Sequence, residues 1–197
     1  HIDKNIIIDK KINENQINKF INSNFGNEYD NFLKQFNIKK KFILDKTLTN
    51  FWYIGFIKIF FPNSKIIHSY RNPKDNCLSI FKNYFPSNEM LWSFDQSNIA
   101  NYYNLYLHLM NFWNTKIEDR IYNIQYERIV DSPESELKKI FAFCNLKWDP
   151  ECLNFHKNKK TPISTASVNQ ARKPIYKSSV NSNEGFSKYL TEMFHIL

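Results

Sequence analysis

The residues best suited to chemistry stand where strands end and helices begin. In Lys65-Ile66-Ile67-His68-Ser69-Tyr70-Arg71-Asn72-Pro73-Lys74-Asp75 a β-rich run hands over to a helix start. Asn72 can cap, Pro73 suits the first helical position, and Asp75 stands at the third, where its charge offsets free amides. The first amides of such a helix lack partners, and its dipole favours an anion. Arg71, at the strand end, adds a permanent charge in a planar fork that matches phosphate oxygens. Ser79 follows Arg71 by two steps of four residues and can turn its hydroxyl toward the same anion. The plainer reading of Arg71 is an ion pair with Asp75 that closes a surface turn.

Two further strand ends are expected to carry chemistry. Lys46, in Asp45-Lys46-Thr47, can reach a bridging or leaving oxygen of a transferred group and stabilise charge as it develops. Standing alone, it is a surface lysine paired with Asp45. Tyr126 can stack on a base, or be a buried tyrosine of the ordinary kind. His68, between apolar strand neighbours, reads as a satisfied core histidine, and His108, inside a helical aromatic stripe, reads the same way. Three strand ends thus present Lys46, Arg71 and Tyr126. Between Glu151 and Glu184 there is no acidic residue, while Lys157, Lys159, Lys160, Arg172, Lys173 and Lys177 fall within that stretch. This basic stretch reads as a long loop that can close over the strand ends, giving a nucleotide-anion site in outline.

The elements that must position these residues follow from pattern and punctuation. Residues 11–36 read as polar helices, 41–45 as the first strand, and 50–61 as an aromatic helix ended by Pro62-Asn63. Residues 65–70 and 120–126 read as the second and third strands. From 99 to 117 Tyr103, Tyr106, Met110, Trp113 and Ile117 recur at helical steps. Ser132-Pro133-Glu134 repeats the cap-then-proline start, with Leu137, Ile140, Phe141 and Cys144 as that helix's inner face. The order of strands and helices implies an α/β layer with a mainly parallel sheet flanked by helices. One domain over 1–197 is expected: a helical lead-in at 1–40, an α/β core at 41–150, and a covering loop and tail at 151–197.

Composition bounds the function classes. A chain of 197 residues with 42% hydrophobic and 17% aromatic content can bury a core. The formal charge of +8 favours an anionic partner, although Lys-rich composition alone reads as a solvated surface. A nucleic-acid-binding role ranks last, because the aromatics follow helical core spacing. Cys77, Cys144 and Cys152 form no CxxC pair, which argues against a disulfide framework or a zinc site and favours a reducing, cytoplasmic compartment. No apolar run has the length of a membrane span. Gly26, Gly55 and Gly185 are too isolated for a Gly-rich phosphate loop, so a kinase or ATPase reading lacks direct support. The start, His1-Ile2-Asp3-Lys4, has no initiator Met, and sequence is expected to be missing upstream.

Several motifs together resemble a known family. They are Asp45-Lys46-Thr47-Leu48-Thr49-Asn50-Phe51, the 61–75 segment with Ser79, Tyr126-Glu127, Phe143-Cys144-x-Leu146-x-Trp148-Asp149-Pro150, and 165–176. In this order they resemble sulfotransferases, specifically bacterial ones fused to tetratricopeptide repeats and related to tyrosylprotein sulfotransferases. The resemblance implies a P-loop-like sulfotransferase fold and transfer of a sulfuryl group from 3′-phosphoadenosine 5′-phosphosulfate, without a metal. The acceptor would be a hydroxyl or amine of a peptide, carbohydrate or small molecule, and tetratricopeptide repeats would stand upstream in the full-length chain. It further implies that Arg71 and Ser79 bind the donor's 3′-phosphate, that Tyr126 lies near the adenine, and that Lys46 is catalytic. Ser167, Gln170 and Lys173 would belong to the segment closing over the nucleotide, with Lys177 and Lys188 as further phosphate contacts. The family's Gly/Ser/Thr-containing phosphosulfate loop and its strand have no counterpart before Asp45, so a truncated fold lacking its first strand is expected. A non-catalytic nucleotide-binding or interaction module on the same scaffold is the alternative.

Overall fold

The computed structural model describes residues 7–8, 11–12, 15, 18, 19, 28, 31, 34, 35, 42–85, 87–117, 120–157 and 172–197. The chain forms two compact units, His1–Ser64 and Lys65–Leu197. In the first, β1 (Ile7–Ile8) and β2 (Lys11–Ile12) pair antiparallel with Ile7 opposite Ile12. The single positions described between 15 and 35 are helical, as expected. The paired strands at 7–8 and 11–12 correct the expectation of a wholly helical lead-in with helices from residue 11, because Ile7 and Ile8 find partners across the ladder.

The strand expected at 41–45 does not form over its described residues, 42–45, which carry no regular structure. Phe42, Ile43 and Leu44 are 61%, 50% and 86% exposed. A strand persists only when its backbone groups are paired and its side chains packed, and an apolar run supplies neither by itself. Asp45 instead accepts the Thr47 N–H at 2.9 Å, a local turn that leads into a 3-10 helix at Leu48–Trp52. The aromatic helix expected at 50–61 is this 3-10 turn followed by α1 (Ile54–Phe60), with Pro62 just beyond.

In the second unit, β3 (Ile66–Tyr70) and β4 (Ile121–Gln125) pair in parallel, with Ile66 opposite Ile121 and Tyr70 opposite Gln125. These are the second and third strands that the β-branched runs predict. After β3 comes α2 (Pro73–Phe81), then a 3-10 segment at Asn88–Phe94 and the long α3 (Gln96–Lys116). After β4 come α4 (Tyr126–Asp131) and α5 (Pro133–Phe143). The α5 helix ends in a Schellman turn. Leu146 N–H reaches Phe141 O at 2.9 Å and Asn145 N–H reaches Ala142 O at 3.0 Å, while Asn145 takes the left-handed φ of 55°.

The core forms where α2, α3 and the C-terminal α6 (Thr191–Ile196) meet. Cys77, Ile99, Ala100, Tyr103 and Met193 are its buried centre, and Trp92, Tyr106, Leu107 and Phe194 pack around it. The three- and four-residue steps along α3 put Ile99, Tyr103 and Met110 on the buried face, as their spacing predicts. The α6 helix is a difference from the sequence reading, which expects only a tail. Its side-chain anchors explain the difference: Gln96 Oε1 accepts the Met193 N–H, and Asn104 donates to the Ile196 carbonyl at 3.0 Å.

Met193 is fully buried, whereas Leu105, on α3, is 47% exposed. Met193→Ala should therefore cost about 2–5 kcal/mol in urea unfolding, and Leu105→Ala should stay within about 0.5 kcal/mol. Equal losses at the two positions would contradict this placement of the core.

Candidate functional site

The parallel register carries the strand ends out side by side. Because Tyr70 stands opposite Gln125, the next residues, Arg71 and Tyr126, leave the sheet together. The Arg71 guanidinium lies 5.3 Å from the Tyr126 ring centre, within cation–π range. Its Nη2 donates to the Ser179 carbonyl at 2.5 Å and stands 3.5 Å from Asp75 Oδ2. The Arg71 Nε is buried and has no partner among the described residues. One edge of the fork is thus engaged, while a strong donor beside it meets no acceptor among them.

Asn72 caps α2 as expected, its Oδ1 accepting from Lys74 N–H at 3.0 Å and Asp75 N–H at 3.2 Å. Asn76 N–H reaches the Asn72 carbonyl, and Asn72 N–H itself donates to Glu127 Oε1 at 2.8 Å. Pro73 has no N–H to offer. The expectation that the first amides of this helix receive an anion is therefore corrected: the cap and Glu127 already take them. An anion at this turn would meet the Arg71 side chain rather than the helix backbone.

Asp75 is 0% exposed, and its role also differs from the expected one at the helix start. Its Oδ1 accepts from Ser182 Oγ, Asn183 N–H and Asn183 Nδ2, and its Oδ2 from Asn181 N–H, at 2.8–3.1 Å. Burial pushes this carboxyl's pKa up, but the bonds from Asn183, Asn181 and Ser182 together hold it below the usual value. Asn181 adopts a φ of 57°, a left-handed conformation that asparagine tolerates. The structure shows the plainer reading of Arg71. Arg71 approaches Asp75 as an ion pair would, and both residues hold the 179–183 segment.

Tyr126 is half-buried, with its ring against the Arg71 guanidinium. Burial raises its pKa, helped by Tyr176 nearby, with Arg71 opposing. Lys173, Pro174, Tyr176, Ser178 and Ser179 line an open pocket of about 510 Å³. Arg71 thus joins Tyr126, whose ring it faces, to the segment containing Lys173, whose Ser179 carbonyl it binds. Ser79 lies half-buried on α2, one turn beyond Asp75, with its carbonyl accepting from Asn83 Nδ2 at 2.6 Å. Ser167 and Gln170 lie outside the described residues. Lys177 is engaged elsewhere, in a 2.6 Å ion pair with Asp131, and Lys188 stands over the Tyr189 ring at 5.1 Å. Lys46 is exposed and belongs to the other compact unit, His1–Ser64, where Asp45 turns to the Thr47 amide.

His68 is satisfied on both nitrogens, as its mid-strand position predicts. Asn123 Nδ2 donates to Asn114, so Asn123 Oδ1 accepts from His68 Nδ1 at 2.7 Å, and His68 Nε2 accepts from the Tyr106 hydroxyl. Burial lowers the imidazole pKa, with the Asn123 bond opposing. Sequence reasoning missed Glu127, Ser179 and the 181–183 segment as parts of this region. The adjacent pair Tyr126-Glu127 and the polar run Asn181-Ser182-Asn183 were the available signals, but nothing local ties them to residues 71–75.

A model of the sulfotransferase family matches residues 7–150. The chain belongs to the sulfotransferase family. An uncharacterized protein of Aquifex aeolicus (strain VF5) is 36% identical over 157 residues, an alignment covering 79% of this chain and 20% of that protein. The chain thus spans about a fifth of the length of that relative. The helices around a small parallel sheet are compatible with an α/β fold. Lys46, Arg71, Ser79 and Tyr126 fall inside the matched range, and Lys173 falls outside it. Among the described residues, no helix is long and apolar enough to cross a membrane.

The Asp75 clamp predicts a pH dependence. Its pKa is depressed in the fold, so its contribution is complete above the ordinary carboxylate value of ~4 and is lost as pH falls through the lower folded value. Urea midpoints should fall more between about pH 5 and about pH 2 for the wild type than for Asp75→Asn. Parallel acid limbs would show that the carboxylate does not hold the segment.

Proposed function

We propose that this chain carries the nucleotide side of a sulfotransferase site whose donor is 3′-phosphoadenosine 5′-phosphosulfate. The observation that carries the reading is the buried Arg71 Nε, without a partner among the described residues, beside a fork already oriented by Ser179 and Asp75. A phosphate oxygen would satisfy that donor with a charge-assisted bond. In this reading Arg71 and Ser79 hold the 3′-phosphate and Tyr126 lies near the adenine. Ser167, Gln170 and Lys173 belong to the segment that closes over the nucleotide. The open pocket beside Lys173 and Tyr176 supports such a place for the nucleotide.

The reaction is an in-line displacement at sulfur. The acceptor oxygen or nitrogen forms a bond to sulfur, the bond from sulfur to the 5′-phosphate oxygen breaks, and 3′-phosphoadenosine 5′-phosphate leaves. A base takes the acceptor proton, and Lys46 is the proposed cation for the developing charge. The acceptor is a hydroxyl or amine of a peptide, carbohydrate or small molecule. The tyrosylprotein-like branch, repeats elsewhere in the full-length protein, one domain over 1–197 and a cytoplasmic setting complete the proposal, all on the sequence motifs and cysteine pattern given above.

A second reading has its own observation: Arg71 Nη2 already binds the Ser179 carbonyl, as a purely structural strut would. Titration calorimetry with 3′-phosphoadenosine 5′-phosphate separates the two. Arg71→Ala is expected to weaken binding at least about tenfold, the loss of one hydrogen bond to a charged group. Arg71→Lys, which keeps the charge without the fork, should fall between that variant and the wild type. A variant that unfolds more easily yet binds the nucleotide undiminished would leave only the strut.

A further inference from the structure

We propose that Glu127 is a positioning residue for Arg71, acting through the backbone of Asn72; the proposal rests on the nucleotide reading above. The register that sets Tyr70 opposite Gln125 puts position 71 beside 126 and position 72 beside 127. The two couples meet by different chemistry. The Tyr126 ring faces the Arg71 guanidinium at 5.3 Å, and Glu127 Oε1 accepts the Asn72 N–H at 2.8 Å. The peptide plane that joins Arg71 to Asn72 is thereby fixed by a charge-assisted bond from the neighbouring strand's end.

The arrangement replaces a familiar local one. In a capping box, the third residue of a helix turns its carboxylate back to the amide of the capping residue. Here that third residue is Asp75, and its carboxylate is committed to Asn181, Ser182 and Asn183. Glu127, distant in sequence, takes the capping amide in its place. The exchange frees Asp75 to hold the C-terminal segment and still leaves no open amide at the turn. Glu127 Oε2 is buried and has no partner among the described residues, so the bond to Asn72 is the contact this carboxylate makes. A half-buried carboxyl with one oxygen unpartnered among the described residues would be costly to keep for packing alone.

The test uses the whole 197-residue chain and two nucleotides. One is 3′-phosphoadenosine 5′-phosphate; the other is adenosine 5′-monophosphate, which lacks the 3′-phosphate that Arg71 would hold. Glu127→Ala should weaken the bisphosphate about tenfold and shift the monophosphate less than about twofold. Glu127→Gln keeps a carbonyl acceptor for Asn72 and should restore bisphosphate affinity to within about threefold of the wild type. Equal weakening of both nucleotides would mean general loosening and would overturn the proposal. So would unchanged bisphosphate affinity in Glu127→Ala when Arg71→Ala has lost it, a result that spares the nucleotide reading. A wild type that binds neither nucleotide overturns both.

Should Glu127→Ala fail to fold, amide hydrogen exchange in Glu127→Asp decides. The side chain is one methylene shorter, and exchange at Asn72 should accelerate at least about tenfold while the α2 interior holds its rate. Unchanged protection at Asn72 would overturn the proposal.

Discussion

Asp75 places a carboxylate where water does not reach, and such a group is tolerated only when donors surround it. The donors here come from the far end of the chain, Asn181 to Asn183, joined at the edge by the Arg71 guanidinium. Much of the candidate site follows from meeting that demand. Holding residues 181–183 brings Ser179 to Arg71, and so sets the pocket wall formed by Lys173, Pro174 and Tyr176. It also leads the chain into α6, whose Met193 closes the core against α3.

The second constraint is the parallel pairing of β3 and β4. Ladder hydrogen bonds align the two strands, and their shared register delivers Arg71-Asn72 and Tyr126-Glu127 to the same edge. Ligands in open parallel sheets gather outside the carboxyl ends of strands, because helix starts and loop side chains converge there. In the proposed site, side chains rather than amides would meet that rule. Asn72 and Glu127 consume the helix start, so an anion at this edge would meet the Arg71 fork instead.

Local signals were legible and long-range ones were not. The strand–Arg–Asn–Pro turn, the Asn72 cap and the buried face of α3 could be read because each depends on neighbours a few residues apart. The 41–45 run misled because its apolar content describes a strand's composition without supplying a partner. The Asp75 clamp was invisible because its donors stand more than a hundred residues away, in a polar stretch without periodicity. The family's motif order was readable, and the match over 7–150 agrees with it at the level of the family. What each side chain does could not be read so directly: Lys177, a phosphate contact by analogy, is held by Asp131.

The central claim is that the ends of β3 and β4 and the 173–179 segment form one nucleotide-binding surface. A titration of the ¹⁵N-labelled chain with 3′-phosphoadenosine 5′-phosphate, followed by amide NMR, tests it most directly. The account predicts saturable shifts concentrated at residues 71–79, 126–127 and 173–180, with α5 and the exposed face of α3 silent. Shifts scattered over the lysine-rich surface and abolished by moderate salt, or none at all, would contradict it.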